Sequence, residues 1–245
     1  TKIKNSQKPL IIIGESVLNL KSGKYIFEEI KKYLTSINKI NKEWNSLNIL
    51  SKNASKVGSY DLNIFSSLGS ENITLEKIQN NDFEIVFLIG QDNLKFIKKN
   101  EFVIYIGSHG DKGAEIADVI LPGSTYTEQD GHFTNLEGKI QKAYKASYPP
   151  GDAKEDWEII NNLSELLKRK KIFKNKDELI DSMLNFLNLK KENSTKQLLE
   201  TNFLNEKIYL DSSNYYFSNV IARASKTMLD CHNIKTNLKN TGTEG

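Results

Sequence analysis

Ile85-Val86-Phe87-Leu88-Ile89 before Gly90, Phe102-Val103-Ile104-Tyr105-Ile106 before Gly107, and Val119-Ile120-Leu121 before Pro122 decide the fold class of this chain. Each is a short apolar run stopped by Gly or Pro, the pattern of a strand buried on both faces. The gaps between them are about a dozen residues, close to the minimum for a helical crossover between parallel strands. An antiparallel edge pair is the alternative topology. Asp111, in the second gap, is placed to cap a brief helix.

Upstream, Leu10 to Ile13 before Gly14 forms a fourth run of the same kind. Ile26, Ile30, Tyr33, Leu34 and Ile37 then recur at spacings of three and four, one face of a helix. A second helix is expected near Trp44 to Tyr60. Strands alternating with helices predict an α/β fold with a Rossmann-like, mostly parallel sheet covered on both faces. This domain spans residues 1–150.

Downstream of Pro149-Pro150-Gly151 the pattern turns helical, so residues 151–245 read as a helical C-terminal region ending in a polar tail. Asp152 as N-cap with Glu155 three positions later resembles a capping box. Trp157, Ile160, Leu163 and Leu167 are expected to face inward, with Lys168 to Lys171 opposing the helix dipole at its end. Further helices are expected from Asp177 to Leu189 and from Thr195 to Leu204, joined by the polar stretch Lys190 to Ser194. The last begins near Ser218, with Val220, Ile221, Ala224, Met228 and Cys231 on one apolar face, and Asn233 to Gly245 is the tail.

Composition narrows the function classes. With 34 basic against 31 acidic residues the net charge is +3, far short of the concentrated positive field that phosphate-backbone binding needs, so nucleic acid is not an expected partner. No apolar run approaches the roughly 20 residues that cross a bilayer, so the chain does not itself read as a membrane protein. Cys231 is the single cysteine, which excludes an internal disulfide, a thiolate-ligated cluster and a CxxC pair and fits a reducing compartment. The start at Thr1-Lys2-Ile3, without Met or an apolar signal, suggests that something upstream was removed or lies on another polypeptide.

No stretch of the chain reads as a catalytic, cofactor-binding or metal site. A phosphate-gripping loop needs Gly, four residues and Gly-Lys-Ser/Thr; here Gly14 to Lys24 is too long and Tyr25 replaces the hydroxyl. Gly107-Ser108-His109-Gly110-Asp111 carries triad residue types at a strand end, but adjacent positions rarely turn toward one another, and the glycines read as a tight turn ahead of the Asp111 cap. His109, His132 and His232 lack zinc-site spacing. Cys231 completes a helical apolar face and reads as an inert thiol. Glu115, Asp118, Glu128 and Asp130 read as caps and turn contacts, and Lys168-Arg169-Lys170-Lys171 with Lys174 and Lys176 as a solvated helix end.

Ala117-Asp118-Val119-Ile120-Leu121-Pro122-Gly123, then Tyr126-Thr127-Glu128 and Asn135-Leu136-Glu137-Gly138-Lys139, resemble the molybdopterin oxidoreductase superfamily. The flanking Gly107 to Ala114 and Pro149 to Ile160, with Ile221-Ala222-Arg223-Ala224-Ser225-Lys226-Thr227-Met228 near the end, look like the large iron-sulfur subunits of respiratory NADH:ubiquinone oxidoreductase, complex I. The resemblance is strongest from Gly107 to Ile160 and at Arg223 to Met228.

What it implies is a cofactor-free relative of a molybdopterin domain, serving as a structural part of the peripheral arm of a proton-translocating complex on the matrix side of the mitochondrial inner membrane. The iron-sulfur clusters would sit on a Cys-rich N-terminal half or partner chain. Membrane association would come only through the complex, and the chain would be a split-gene product or the remainder of a longer subunit. Lys139 stands where many members have Arg, which removes a planar fork for bidentate contacts. Asn135 and Glu137 are then structural polar residues across a turn. The chain looks too short for the complete cofactor cleft, so its sheet would take strands from a partner. A fragment of a catalytic molybdopterin enzyme and a basic-patch binding module are the alternatives.

Overall fold

The computed structural model describes residues 2–54, 56–64, 71–94, 96–167, 169–192, 202–205 and 214–239. In chain order the elements are α1 (Lys2–Asn5), β1 (Ile11–Gly14), α2 (Glu15–Leu18), α3 (Gly23–Ser36), β2 (Leu47–Leu50), α4 (Lys56–Asp61), α5 (Glu71–Gln79), β3 (Ile85–Ile89) and β4 (Phe102–Gly107). They continue with α6 (Lys112–Glu115), β5 (Val119–Pro122), β6 (Gly131–Thr134), β7 (Ile140–Ala143), α7 (Asp156–Leu166), α8 (Lys176–Glu192), a 3₁₀ turn (Tyr215–Phe217), α9 (Val220–Ala224) and α10 (Lys226–Lys239). The fold is mixed α/β with small, mostly parallel sheets, as the strand-helix alternation predicts.

The chain forms two compact units that interleave along the sequence. One comprises residues 1–67, 132–143 and 176–210, the other 68–131, 144–175 and 211–245. Each unit therefore draws on residues from both sides of the 150/151 division expected from the change in local pattern, because contacts between distant segments, not local periodicity, define a compact body.

The second unit holds the three runs that decide the fold. They form a sheet of order β3-β4-β5, parallel throughout, with Ile85 opposite Phe102 and Ile104 opposite Val119. The antiparallel alternative does not occur here. Val86, Leu88, Val103 and Tyr105 point to one face and bury with Ile78 of α5 and Phe96, each large apolar side chain contributing about 1.5–3 kcal/mol. The opposite face is less covered than a buried parallel sheet requires: Ile85, Phe87, Ile89 and Phe102 are exposed, while Ile106 is buried. Gly123 forms a parallel bridge with Lys154 beyond β5.

That bridge explains why α7 starts later than the Asp152 cap predicts. Lys154 N–H donates to the Pro122 carbonyl at 3.1 Å and its carbonyl accepts from Ser124 at 2.9 Å, so after a turn at Gly151 and Asp152 the chain is drawn onto the sheet at Lys154 before any helix can start. Glu155 is the N-cap instead, with no side-chain cap bond. The inward face is also turned from the expected one. Ile159 and Asn161 are buried whereas Ile160 and Leu167 are exposed. Asn161 sets this rotation: its Oδ1 accepts from Ile172 and Phe173 N–H at 2.7 and 3.0 Å, and its Nδ2 donates to the Phe173 carbonyl at 2.7 Å.

In the first unit β1 and β2 pair in parallel, Ile11 opposite Leu47. The helix expected from Trp44 to Tyr60 is thus a strand followed by the short α4. A four-residue stretch such as Leu47-Asn48-Ile49-Leu50 cannot be told from a helical segment by periodicity, and here the Asn45 side chain accepts from Leu47 N–H at 3.1 Å and Trp44 Nε1 donates to the Pro9 carbonyl at 3.0 Å, aligning β2 beside β1. Helix α3 packs Phe27, Ile30, Leu34 and Ile37 on Ile13 and Leu47. Tyr33, expected inside, is exposed. Phe27 takes its place on the buried stripe.

Strands β6 and β7 form a two-stranded sheet closed by the turn at Asn135 to Lys139. Helix α8 covers the expected 177–189, while the helix expected over 195–204 lies mainly outside the described residues. The single final helix is two, because Asn219 caps α9 by accepting from Ala222 N–H at 2.9 Å and the chain is extended at Ser225 before α10. Helix α10 continues to Lys239, through the first half of the expected tail. Among the described residues no helix is long and apolar enough to cross a membrane.

Candidate functional site

In open α/β sheets ligands bind outside the carboxyl ends of the strands, so those ends are where chemistry would lie. At the end of β4 the Tyr105 ring belongs to the apolar core while its hydroxyl emerges into a polar cluster. The single phenolic proton is shared between Asp92 Oδ1 at 2.5 Å and the His109 carbonyl at 2.9 Å. Burial, then the Asp92 carboxylate, push the Tyr105 phenol well above its usual range. It remains a neutral hydrogen-bond donor.

Gly107 and Gly113 make room for that ring. A Cβ on Gly107 would collide with the Tyr105 hydroxyl, and one on Gly113 would lie 2.5 Å from the Gln91 carbonyl oxygen and 3.2 Å from the ring. Between them Asp111 caps α6 as expected, its Oδ1 accepting from Lys112 N–H at 2.8 Å. Its other oxygen receives Arg223 Nε at 2.8 Å, and Arg223 also reaches Asp92 Oδ2 at 3.5 Å. Burial opposes ionisation of Asp111, but Arg223 and the Lys112 N–H outweigh it and hold the carboxyl below its usual range. One guanidinium thus serves two carboxylates.

This arrangement leaves no nucleophile-base-acid relay. Ser108 Oγ and His109 Nδ1 approach to 2.9 Å, but Asp111 is committed to Arg223 and to its cap. The other carboxylates act locally: Asp118 accepts from Val103 N–H at 2.8 Å and pairs with Lys98 at 2.5 Å, Glu128 accepts from Thr125 N–H, and Asp130 from Lys145 N–H. His232 lies 3.2 Å from Asn214 and stacks near Phe217. Cys231 is half-buried. No cluster of His, Cys, Asp or Glu among the described residues could hold a metal ion. In the basic run Lys171 pairs with Glu165 at 3.3 Å, and Lys168 lies outside the described residues.

The first unit carries a cleft of about 750 Å³ beside the ends of β1 and β2, walled by Phe27, Leu47, Ile49 and Tyr60. Glu15, buried at its edge, pairs with Lys56 and accepts from Lys52 N–H at 2.8 Å and from Ser51 at 3.3 Å. Burial raises its pKa, but these donors together lower it below the usual range. Gly14 is extended and Gly23 meets the Leu18 carbonyl at a distance no Cβ could share, so the two glycines serve chain packing, not a phosphate loop. Asn135 Oδ1 accepts from Glu137 and Lys139 N–H at 3.0 and 2.9 Å, the structural role expected of it.

The sequence signals found Asp111 and the glycines around it, since caps and tight turns are local. They missed Tyr105, Asp92 and their link to Arg223, for which the only signal is the joint presence of the Gly107 to Ala114 and Arg223 to Met228 motifs.

The molybdopterin oxidoreductase family profile matches residues 1–166. Among curated relatives, the chain is 38% identical to the NADH-ubiquinone oxidoreductase 75 kDa subunit of Reclinomonas americana, covering 95% of this chain and 35% of the relative. It is 36% identical to a subunit of the NADH-quinone oxidoreductase of Rickettsia bellii, over 98% of this chain and 35% of that one. With the mitochondrial NADH-ubiquinone oxidoreductase 78 kDa subunit of Candida albicans the identity is 34%, over 94% and 34%. The chain spans about a third of the length of the relatives it matches.

The pterin that the family description implies carries anionic phosphate, and the strand end of the second unit does not suit it. Asp92 and Asp111 would repel a phosphate in the second unit, where Arg223 is already engaged by both. In the first unit Lys56 is paired with Glu15, Lys24 and Lys31 also line the cleft, and Lys139, not Arg, stands at the end of the turn. Parallel strands, the turn at Asn135 to Lys139 and the profile match over two thirds of its length agree on one assignment: the chain belongs to the molybdopterin oxidoreductase family.

Proposed function

We propose that this chain is a non-catalytic structural domain of the peripheral, matrix-side arm of a mitochondrial, proton-translocating NADH:ubiquinone oxidoreductase. The observation that carries the reading is similarity over nearly the whole chain to proteins named as subunits of that enzyme, joined to a single cysteine. An iron-sulfur cluster takes about four thiolates, so the clusters reside on a Cys-rich chain or half that this domain supports. The chain itself binds no pterin. The apolar side chains left exposed on the second unit's sheet, Ile85, Phe87, Ile89 and Phe102, are of the kind that assemblies cover.

The test is native purification in mild detergent from mitochondria, with the chain followed by antibody. It is expected to co-migrate with a Cys-rich iron-sulfur protein and NADH dehydrogenase activity, without molybdenum or tungsten. A free monomer in mitochondrial extract would overturn the assembly, and either metal in stoichiometric amount would overturn the cofactor-free role.

A further inference from the structure

The C-terminal helices of the second unit are attached to the sheet by charge. The 3₁₀ turn, α9 and α10 pack on one another, with Phe217 4.8 Å from the His232 ring. From Asn214 to Lys235 no residue is buried, so no apolar side chain over that stretch is sunk into the core. Between Phe217, Val220 and Ala224 on one side and Gly110 on the other lies a gap of about 240 Å³. Arg223 bridges it, reaching Asp111 at 2.8 Å and Asp92 at 3.5 Å. These side chains are only 12–22% exposed, enough shielding for the charge pairs to outlast ordinary surface contacts.

We infer that the segment from Asn214 to Lys239 is a detachable strap, latched by Arg223 over the carboxyl end of β4 and released when that latch breaks. Docked, it stands over Gly110 and Asp111 and covers the end of the parallel sheet where a ligand would enter. Released, it leaves Asp92 and Asp111 without their counter-charge and keeps its own helices, whose caps and ring contacts lie within the strap. This device is independent of the assembly in which the chain works.

Amide hydrogen exchange on the full chain tests it, comparing the wild type with Arg223→Gln and Arg223→Lys. Loss of the latch in Arg223→Gln is expected to accelerate exchange across α9 and α10 about tenfold while β3 and β4 keep their protection. Arg223→Lys should retain part of the protection, and about 1 M salt should reproduce part of the release in the wild type. Unchanged exchange in Arg223→Gln would overturn the strap, as would equal acceleration in β3 and β4, which would make Arg223 a support of the whole unit. If Arg223→Gln yields no folded protein, Asp111→Asn gives the same reading, since it keeps the cap acceptor and removes the charge.

Discussion

Gly107 lies directly beneath the hydroxyl of Tyr105, two positions earlier on the same face of β4, so closely that a Cβ at 107 would overlap it. The missing side chain lets a tyrosine at a strand end lie down along its own strand. It is this tilt that brings the hydroxyl to Asp92 and to the His109 carbonyl. Gly107→Ala is therefore expected to cost about 2–4 kcal/mol by forcing the ring off its site. Gly110→Ala, with nothing within 4 Å of its Cβ, should stay within about 0.5 kcal/mol. Urea unfolding of the two variants side by side distinguishes them.

Removing the hydroxyl has a separate consequence. Tyr105→Phe keeps the core packing but leaves the Asp92 carboxylate and the His109 carbonyl short of a donor, an expected loss of about 1–3 kcal/mol by equilibrium denaturation. Because burial and Asp92 raise the phenol's pKa, ultraviolet titration of the wild type should show one tyrosine ionisation displaced upward from the usual range. That step should vanish in Tyr105→Phe.

Two aspartates give opposite pH dependences. Asp111 is held below its ordinary value of 3.8 although burial opposes this, because Arg223 and the Lys112 N–H prevail. Its contribution is fully present above the unfolded-state pKa and is lost as pH falls through the lower folded value. Asp156 is raised, first by burial and then by Glu155. Its contribution is present below the unfolded-state pKa and is lost as pH rises through the raised folded value. Asp111→Asn should thus flatten the acid limb of thermal midpoint against pH. Asp156→Asn should melt above the wild type at pH 7 and together with it below about pH 3.

Asn161 makes three hydrogen bonds to the backbone of Ile172 and Phe173. Asn161→Ala should cost about 1–3 kcal/mol, since it leaves two partly buried N–H groups and a carbonyl without their partner. Proteolysis after Lys170 or Lys171 should accelerate in parallel, because Asn161, together with Ser164 and Glu165, ties that segment back to α7. A stability change below about 0.5 kcal/mol would show that water replaces the amide without penalty.

The local features were legible in the sequence by itself. Runs of apolar residues stopped by Gly or Pro marked β1, β3, β4 and β5, the Asp111 cap marked α6, and spacings of three and four marked α3. Each rests on interactions within a few residues, where sequence distance and spatial distance agree. Strand β2 was not legible, because its four apolar and polar residues become a strand only beside β1. Nor was the start of α7, since Asp152 had the chemistry of a cap and lost its segment to the bridge between Lys154 and Gly123.

What tertiary structure alone decided is the strand-end cluster. Arg223 and Asp111 are 112 positions apart, and no spacing rule connects a helix near the end of the chain to a turn after β4. Motif resemblance sufficed for the family, because local motifs need no coordinates. Whether Asp111 would orient His109 or meet Arg223 depended on which groups the fold brought within about 3 Å. Electrostatic pairing reads that distance, not the order of residues along the chain.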